Sequence, residues 1–435
     1  MDFALFLLVN VALFLRPQDL APSLAAIPFY NILIVANLIV AAPVIVRQLS
    51  TGIRQAPATV CVVGILAALV LSLVARNDLA GAWYWGIEFA KVVAYFLLIT
   101  AILTTTRRFT IYLATVVALT VILTGLAVAH YYGHIDLPAI RHARETSHDS
   151  QTGSGIEILR LAAFGVFADP NDLSMIIVLS MLICLGGLFC RDLKVARLAL
   201  LAPLGLLVFA LALTQSRGGL LALMAGLAAL LISRFGLLRS AIPLAALVPL
   251  MLVAFGGRQA DIANSISAGT GGQRTELWYA GLQMLKWSPI VGMGHTQFVQ
   301  EQGYVAHSSY IQALAEWGLI GGTMFIGLFY VVLFSMWRLK KVRRAIRSPV
   351  LRTLQPYLLG AVAAYAASML TLTRCDIVPT YLVAGLGVSY ERLARRETPL
   401  LPLEVSPSLL GRIAAATLCF IAATYIYIRF IYRLF

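Results

Sequence analysis

Charged residues are scarce in this chain of 435 residues: only 12% are Asp, Glu, Lys or Arg, whereas 60% are hydrophobic. A soluble globular domain carries about 25% charged residues, so the composition excludes an ordinary soluble protein. Acidic residues are the scarcest, with 19 against 33 basic ones, which leaves a net charge of +14. The alternation of apolar and polar residues that membrane β-barrels need is also missing. These absences predict a helical membrane protein.

Cysteine is rare as well, and its spacing excludes two kinds of site. No CxxC pair is present, so we predict small buried side chains, with no disulfide frame and no metal site. The five cysteines lie in or beside apolar runs: Cys61, Cys184, Cys190, Cys375 and Cys419. The glycine-rich residues 267–274 lack the Gly-Lys-Ser/Thr ending of a phosphate-binding loop, so we predict no nucleotide site.

Apolar runs of about 17–21 residues recur along the chain, close to the roughly 20 residues that cross a bilayer as a helix. Backbone groups in lipid must be satisfied within the segment, so we interpret the runs as helices. The predicted spans are 2–15, 29–46, 57–74, 83–103, 109–129, 171–190, 198–215, 218–233, 240–256, 320–337, 354–372 and 377–391. The fold class is therefore an all-α polytopic membrane protein of about 12 transmembrane helices. Residues 409–430 are a thirteenth span or a helix along the interface.

Basic residues collect in alternate loops, which is the positive-inside pattern of cytoplasmic loops and argues against nucleic-acid binding. They are Arg47, Arg54, Arg107, Arg108, Arg191, Lys194, Arg197, Arg234, Arg239, Arg392, Arg395, Arg396 and the basic loop 338–352. The N-terminus is then cytoplasmic, and no cleavage signal follows it. We expect the basic loop to contact anionic lipid head groups, or only to fix the topology.

No internal repeat is visible, so residues 1–435 are predicted to form one membrane domain. Two loops, 130–170 and 257–319, face the side opposite the basic loops. Frequent glycine and alanine within the spans favour close helix packing in lipid.

The first loop carries four histidines and ends in a Gly/Ser-rich stretch that predicts irregular structure. His130 and His134 have a spacing that can bind zinc on a helix. Gly133 and the absence of an HExxH pattern argue against this, so no metal is expected.

The second loop, 257–319, contains two helical patterns. Residues 273–287 place Leu277, Trp278, Gly281 and Leu285 on one face, which predicts a helix along the membrane surface. A second helix begins at Ser309, where Ser309 and Gln312 form the pattern of a capping box.

His307 precedes that helix, at the positive end of its dipole. This position disfavours imidazolium and predicts a neutral histidine that can accept a proton. A phosphate group could bind the same helix end. The alternative is a surface histidine without a role.

Four arginines fall at span ends or in loops on the side opposite the basic loops: Arg160, Arg217, Arg274 and Arg374. Arginine is disfavoured there by the positive-inside pattern, so their presence needs a reason. Guanidinium groups bind diphosphate through paired donors. The alternatives are capping of helix-end carbonyls and contact with head groups.

Two further features have structural explanations. Asp169 and Pro170 have the residue types of a helix cap and first turn, while Asn171 and Asp172 could face the cavity of Arg160. Glu88 and Lys91 lie three residues apart within a span and are predicted to form an ion pair. The rival interpretation of that pair is a proton-coupled carrier.

In order along the chain, several short motifs resemble the O-antigen ligase and polymerase superfamily. They are Asp169-Pro170-Asn171, Ser216-Arg217-Gly218-Gly219, Arg274-x-x-x-Trp278, Pro289-x-x-Gly292-x-Gly294-x-x-x-Phe298 and His307-Ser308-Ser309-Tyr310, followed by Glu316, Gly318 and Gly321. Many relatives carry Asn where this chain has Ser308. The ordered set covers about 150 residues, and the number of spans fits the whole chain.

The resemblance implies a metal- and cofactor-independent glycosyltransferase in the bacterial inner membrane, with its active site facing the periplasm in the catalytic loop 257–319. The donor would be a glycan on undecaprenyl diphosphate, and the acceptor lipid A-core or another glycan. His307 would be the catalytic base, Arg217 and Arg274 would bind the diphosphate, and Arg160 would assist. Accessory roles are expected for Arg374, Tyr310 and Asn171.

Three alternatives stay open at this point. The enzyme could polymerise repeat units or glycosylate a protein, because the donor chemistry is the same. A carrier for lipid-linked sugars would need inverted repeats and would tolerate the loss of His307. A scaffold without catalysis would leave the arginines and His307 unexplained.

Overall fold

The computed structural model describes residues 1–148, 155–254 and 270–434. The predicted all-α membrane fold is confirmed, because ten helices in these residues are long and apolar enough to cross a membrane. The described residues do not include positions 255–256 of one predicted span. They also leave out residues 257–269 of the second loop, which contain most of its glycine-rich stretch.

Sixteen α-helices are formed by the described residues. They are α1 Asp2–Leu15, α2 Pro17–Leu20, α3 Phe29–Gly52, α4 Pro57–Val74, α5 Leu79–Ile102, α6 Thr106–Tyr131, α7 Pro170–Leu188, α8 Leu201–Leu213, α9 Arg217–Phe235, α10 Leu237–Ala254, α11 Thr270–Trp287, α12 Gln297–Gln302, α13 Ser309–Lys341, α14 Pro349–Ser368, α15 Val378–Arg395 and α16 Pro407–Leu434. Each predicted span lies largely on one of them.

Three predicted spans are not among the ten helices that are long and apolar enough to cross a membrane. They lie on α10, α14 and α15. Helices α14 and α15 are nevertheless deeply buried, with residues such as Tyr357, Tyr365 and Tyr381 in the core. A helix enclosed by other helices does not need a fully apolar surface, so its hydropathy falls below that of lipid-facing spans. Residues 407–430 do qualify as a span by length and composition.

Small residues allow close helix packing, as the sequence predicted. Helix α14 packs against α9 and α7. At the contact with α9, a Cβ atom on Gly360 would lie 2.7 Å from the carbonyl oxygen of Gly226.

All five cysteines are free, and four of them are buried. Cys419 is exposed, contrary to the prediction that all are buried.

The first loop is more ordered than the sequence suggested. Strands β1 (Ala143–His148) and β2 (Gly155–Arg160) form an antiparallel hairpin, in which Ala143 pairs with Arg160. The prediction of irregular structure is wrong for these residues. In β2 the residues Ile156 and Ile158 stand at alternate positions, the period of a strand, directly after the Gly/Ser-rich stretch.

Helix α13 is broken at Gly318, which has φ 63° and ψ −165°. Residues 289–294 bind the backbone groups that the break releases. Leu319 N donates to Pro289 O at 2.7 Å, Ile320 N to Ile290 O at 3.2 Å, and Gly294 N to Glu316 O at 3.0 Å. Gly292 has φ 80°, and a Cβ atom on it would clash with the Glu316 carbonyl. Irregular backbone within a membrane domain requires such partners.

The two ends of the helix bundle differ in their residues. At one end Arg108 binds Asp2 at 2.9 Å, and Lys340 caps the carbonyl of Ile232 at 2.8 Å. Helix α13 runs from this end to the other, where it begins at Ser309. The loops that contain the predicted site residues meet around that beginning.

Candidate functional site

His307 lies directly before the cap of helix α13. The helix begins at Ser309 with Ser308 as its N-cap residue, and no side chain accepts a cap hydrogen bond. The predicted capping box is therefore wrong. The hydroxyl of Ser309 instead donates to Leu372 O at 2.6 Å and accepts the N–H of Arg374 at 2.8 Å. The tertiary contact with the 369–374 loop outcompetes the local cap.

A buried polar network holds the backbone next to His307. Ala306 N donates to Gln312 Oε1 at 3.0 Å, and Gln312 Nε2 donates to Glu316 Oε1. The other oxygen of Glu316 lies 3.1 Å from Nδ1 of His295. These side chains are at most 6% exposed. A fully connected buried network is rigid, so it fixes the position of the residue that follows Ala306.

The backbone of His307 is left-handed, with φ 49°, a conformation rare for a non-glycine residue. Such a conformation costs about 1–3 kcal/mol and persists only when the surroundings enforce it. The Ala306–Gln312 bond and the anchor of Ser309 lie on both sides of His307 and supply that enforcement. The imidazole is therefore held in one place instead of sampling the loop.

Burial lowers the pKa of His307, and the positive charges of Arg274 and Arg374 lower it further against the opposing effect of Asp169. The imidazole is thus neutral under conditions where an ordinary histidine begins to protonate. Three segments distant in sequence bring these charges to His307: the start of α11, the loop before α7 and the loop before α15. This agrees with the predicted neutral histidine.

Arg217 is the first residue of helix α9, whose N-cap is Ser216. The Ser216 hydroxyl accepts the N–H of Gly219 at 3.0 Å. A Cβ on Gly218 would lie 2.7 Å from the Thr371 hydroxyl oxygen, and one on Gly219 would lie 2.6 Å from Ser174. Only glycine fits between these neighbours. The two glycines thereby bring the start of α9 against the loop that also anchors Ser309.

Arg160 is bound on three sides. Its Nε donates to Thr214 O at 3.0 Å, Nη1 to Glu145 at 3.1 Å and Nη2 to Asn171 Oδ1 at 3.0 Å. Asn171 Oδ1 also accepts from Ser216 Oγ at 2.7 Å. Arg160 and Asn171 therefore connect the hairpin to the starts of α7 and α9. Asp169 caps α7 by accepting Asn171 N at 2.7 Å, as predicted.

Arg374 forms a two-pronged ion pair with Asp172, with Nε and Nη2 at 2.6 and 2.7 Å from the two carboxylate oxygens. Burial opposes the charged form, but the hydrogen bond and charge of Asp172 outweigh it and raise the pKa of Arg374. The neighbouring Thr373 hydroxyl and that of Ser308 are buried without a partner among the described residues. Both flank charged or titratable site residues.

Arg274 is half-buried near the start of α11. The predicted helix of residues 273–287 is present, and Leu277 and Leu285 are buried. Gly281 packs against Ile311 of α13 and against Phe298. This contact brings Arg274 close enough to His307 to lower its pKa.

Tyr310 and the histidines of the first loop, which the sequence also singled out, have contacts of their own. The Tyr310 hydroxyl donates to Ala366 O at 2.8 Å, and its ring packs on Phe325 and Phe420. His130 Nδ1 accepts the N–H of Leu137 at 3.1 Å. Within the described ranges, no group of three His, Cys, Asp or Glu residues could hold a metal ion.

The sequence did not single out His295, gave Glu316 no role, and predicted for Gln312 a cap in place of its bonds to Ala306 and Glu316. Glu316 belongs to one of the motifs. An acidic residue in an apolar helix also predicts, by itself, a buried partner. His295 follows Gly294 of the same set of motifs. Burial lowers the pKa of His295, but the hydrogen bond with Glu316 and the charges of Glu316 and Asp376 outweigh it and raise the pKa.

Comparison with known proteins supports the resemblance. No curated protein matches the chain. A chain of a solved structure titled "Structural coordination of polymerization and crosslinking by a peptidoglycan synthase complex" is 17% identical, with a TM-score of 0.43, and the alignment covers 78% of this chain and 98% of that chain. A family model described as "O-Antigen ligase" matches residues 202–326, which include Arg217, Arg274 and His307. The match confirms the resemblance to the O-antigen ligase superfamily over residues 202–326, in a chain that has the helices of a multi-pass membrane protein.

Proposed function

We propose that this protein transfers a glycan from undecaprenyl diphosphate to a sugar hydroxyl of lipid A-core, as an O-antigen ligase, on the periplasmic face of the bacterial inner membrane. One observation carries the proposal: hydrogen bonds on both sides fix His307 at one end of the helix bundle, close enough to Arg274 and Arg374 for their charges to lower its pKa. The match of residues 202–326 to the O-antigen ligase family supports the substrate class.

His307 acts as the general base in this proposal. Its neutral imidazole takes the proton of the acceptor hydroxyl while that oxygen attacks the anomeric carbon of the donor glycan. The bond from the anomeric carbon to the diphosphate oxygen breaks, and undecaprenyl diphosphate leaves with the electron pair. A base is effective only if unprotonated at the working pH, which the lowered pKa of His307 provides.

Arg217 and Arg274 bind the diphosphate. Charge develops on the leaving oxygen, and fixed guanidinium groups stabilise it without having to reorganise, so a metal ion is not required. Arg217 also lies at the start of α9, where the helix dipole favours anions. The unpartnered hydroxyls of Ser308 and Thr373 are further donors at the same site.

Arg160, Asn171 and Arg374 support the site by holding it together. Arg160 and Asn171 fix the start of α9, and hence Arg217, through Ser216. Arg374 orders the loop that anchors Ser309, and its charge helps to keep His307 neutral. Substitution of any of these three residues would therefore lower activity by disturbing Arg217 or His307.

Reconstitution in vesicles with an undecaprenyl-diphosphate glycan and lipid A-core, without divalent metal and with chelator, tests the proposal. We expect transfer by the wild type and none above background by His307→Ala. Elongation of the donor glycan without transfer to lipid A-core would instead identify a repeat-unit polymerase. Full activity of His307→Ala would refute the role of the base, and activity that depends on zinc would refute the metal-independent mechanism.

A further inference from the structure

A cavity with polar and aromatic lining residues lies at the same end of the bundle as His307, and His295 is one of those residues. It has a volume of about 440 Å³ and is formed by α1, α3, α5 and the segment before α15. Four aromatic residues and four charged ones line it together with His295. They are Tyr30, Tyr84, Trp85, Phe89, Arg16, Glu88, Lys91 and Asp376. None of the arginines proposed to bind diphosphate is among its lining residues.

Two residues that line the cavity each carry a buried polar atom with no hydrogen-bond partner among the described residues. The two atoms are the side-chain oxygen of Gln18, an acceptor, and the hydroxyl of Tyr30, which can donate and accept. Leaving such a group unpaired is unfavourable, so buried polar atoms are nearly always paired. A hydroxyl-bearing ligand, which both donates and accepts, would satisfy both atoms once their side chains rotate towards the cavity.

Every cationic group that lines the cavity already has an acidic partner. Lys91 binds Glu88 at 2.6 Å, which confirms the predicted ion pair, and Arg16 binds Asp19 at 3.1 Å. His295 lies 3.1 Å from Glu316 and 3.7 Å from Asp376. The cavity therefore has no excess positive charge for an anionic group. Its charged pairs instead offer both donors and acceptors to a neutral polar ligand.

Aromatic rings give the cavity fixed walls. The rings of Trp85 and His295 meet edge to face at 4.8 Å, and Tyr84 meets Trp85 in the same way at 5.0 Å. Since His295 is also held by Glu316, the position of the Trp85 ring is fixed from one side. Large apolar surfaces beside a few placed polar groups are typical of small-molecule sites.

From these observations we propose that this cavity is a carbohydrate-binding subsite that holds the acceptor glycan next to His307. Balanced charge, two unpaired hydrogen-bonding atoms and rigid aromatic walls fit a neutral, hydroxyl-bearing ligand. The identification of that ligand as the acceptor rests on the proposed function. The loop before α15 joins the two sites, because it carries both Asp376 and Arg374, whose N–H binds Ser309.

Binding by the detergent-solubilised full-length protein tests the subsite without any transfer reaction. The probes are core oligosaccharide released from lipopolysaccharide by mild acid, and sodium diphosphate, followed by calorimetry. We expect the oligosaccharide to bind the wild type and Trp83→Ala equally, and Trp85→Ala at least tenfold more weakly. Trp83 is a matched control because it lies two residues away and is 74% exposed. Equal binding by Trp85→Ala, or no binding by the wild type, would overturn the proposal.

A milder variant guards against misfolding. Tyr30→Phe removes only the unpaired hydroxyl, so the empty protein should melt at the same temperature or slightly higher. Its affinity for the oligosaccharide should fall about three- to tenfold, the share of one hydrogen bond. Tyr304→Phe, at a tyrosine that is 57% exposed, should change neither value. Unchanged affinity in Tyr30→Phe, or displacement of the oligosaccharide by diphosphate, would contradict the subsite.

Kinetics separate this proposal from the proposed function. In the transfer assay, Trp85→Ala should raise KM for the acceptor about tenfold and leave KM for the donor unchanged. Transfer with unaltered acceptor KM would refute the subsite and leave the ligase reaction intact. Oligosaccharide binding without any transfer would refute the ligase reaction and leave a carbohydrate site.

Discussion

His307 and His295 lie at the same end of the bundle in opposite electrostatic surroundings. Burial lowers the pKa of both, but arginines add to the effect at His307, whereas Glu316 and Asp376 reverse it at His295. His307 is left-handed and half-buried, while His295 is almost fully buried and in contact with acidic groups on both ring nitrogens.

The difference teaches that neighbouring charges can move the pKa of the same residue type in opposite directions within one end of the bundle. A general base must be neutral and reachable, which fits His307. His295 has a raised pKa and lies between two carboxylates, an arrangement that connects loops. The Glu316–Gln312–Ala306 bonds join the two, so His295 supports the position of His307.

The largest expected effect is that of His307→Ala. Loss of a general base lowers the rate about 10²- to 10⁴-fold, so transfer in reconstituted vesicles should fall to near background. The exposed His134 offers a control, since His134→Ala should retain wild-type activity. Near-normal transfer by His307→Ala would remove the distinction between the two histidines.

The second effect is that of Arg217→Ala and Arg274→Ala, each expected to lower kcat/KM about 10²- to 10³-fold. Lysine at either position should restore only part of the activity, because it cannot form a two-pronged contact with diphosphate. Donor-dependent initial rates measure both. The exposed Arg141→Ala is the control, and a loss as large in that variant would show a general effect of charge.

Glu316→Gln should lower transfer about tenfold by loosening the support of His307. The pKa of His295 is raised in the folded protein, so its contribution to stability is full below the unfolded value of about 6.5 and is lost as pH rises through the folded value. The melting temperature of Glu316→Gln should therefore lie furthest below that of the wild type at acidic pH. A gap that does not change with pH would exclude the charged pair.

Arg274→Gln should shift the pH profile of transfer. The charge of Arg274 lowers the pKa of His307, so removing it raises that pKa. The acid limb of log kcat/KM should move to higher pH, and the variant should lose more activity at acidic than at alkaline pH. Arg344→Gln, in the basic segment at the other end of the bundle, should leave the limb unmoved, since salt screens distant charges. An identical shift in both variants would contradict a local effect.

Tyr310→Phe is expected to have the smallest effect on transfer. Its hydroxyl binds Ala366 O within the packed helices, so the loss should destabilise the protein by about 1 kcal/mol. Transfer should stay within about twofold of the wild type, as measured beside the melting temperature. A large loss of activity at unchanged stability would assign Tyr310 an accessory role after all.

Much of the fold followed from composition and local pattern. The apolar runs predicted the helices because a bilayer demands about 20 apolar residues in each. Asp169 and Pro170 predicted the start of α7 because capping is a local interaction. Ser309 failed as a capping box because the loop at 369–374 competed for its hydroxyl, a contact about 60 residues away that no local pattern contains.

The sequence by itself determined that this protein is a helical membrane protein, and its motifs selected one histidine and several arginines as candidate site residues, because hydropathy and short motifs depend on neighbours along the chain. Only the tertiary structure decided the protonation tendencies of His307 and His295, the Arg374–Asp172 pair and the polar cavity. Each of these depends on groups from several helices. Electrostatic energy and burial are set by distance in space, and distance in space is fixed only when the helices pack.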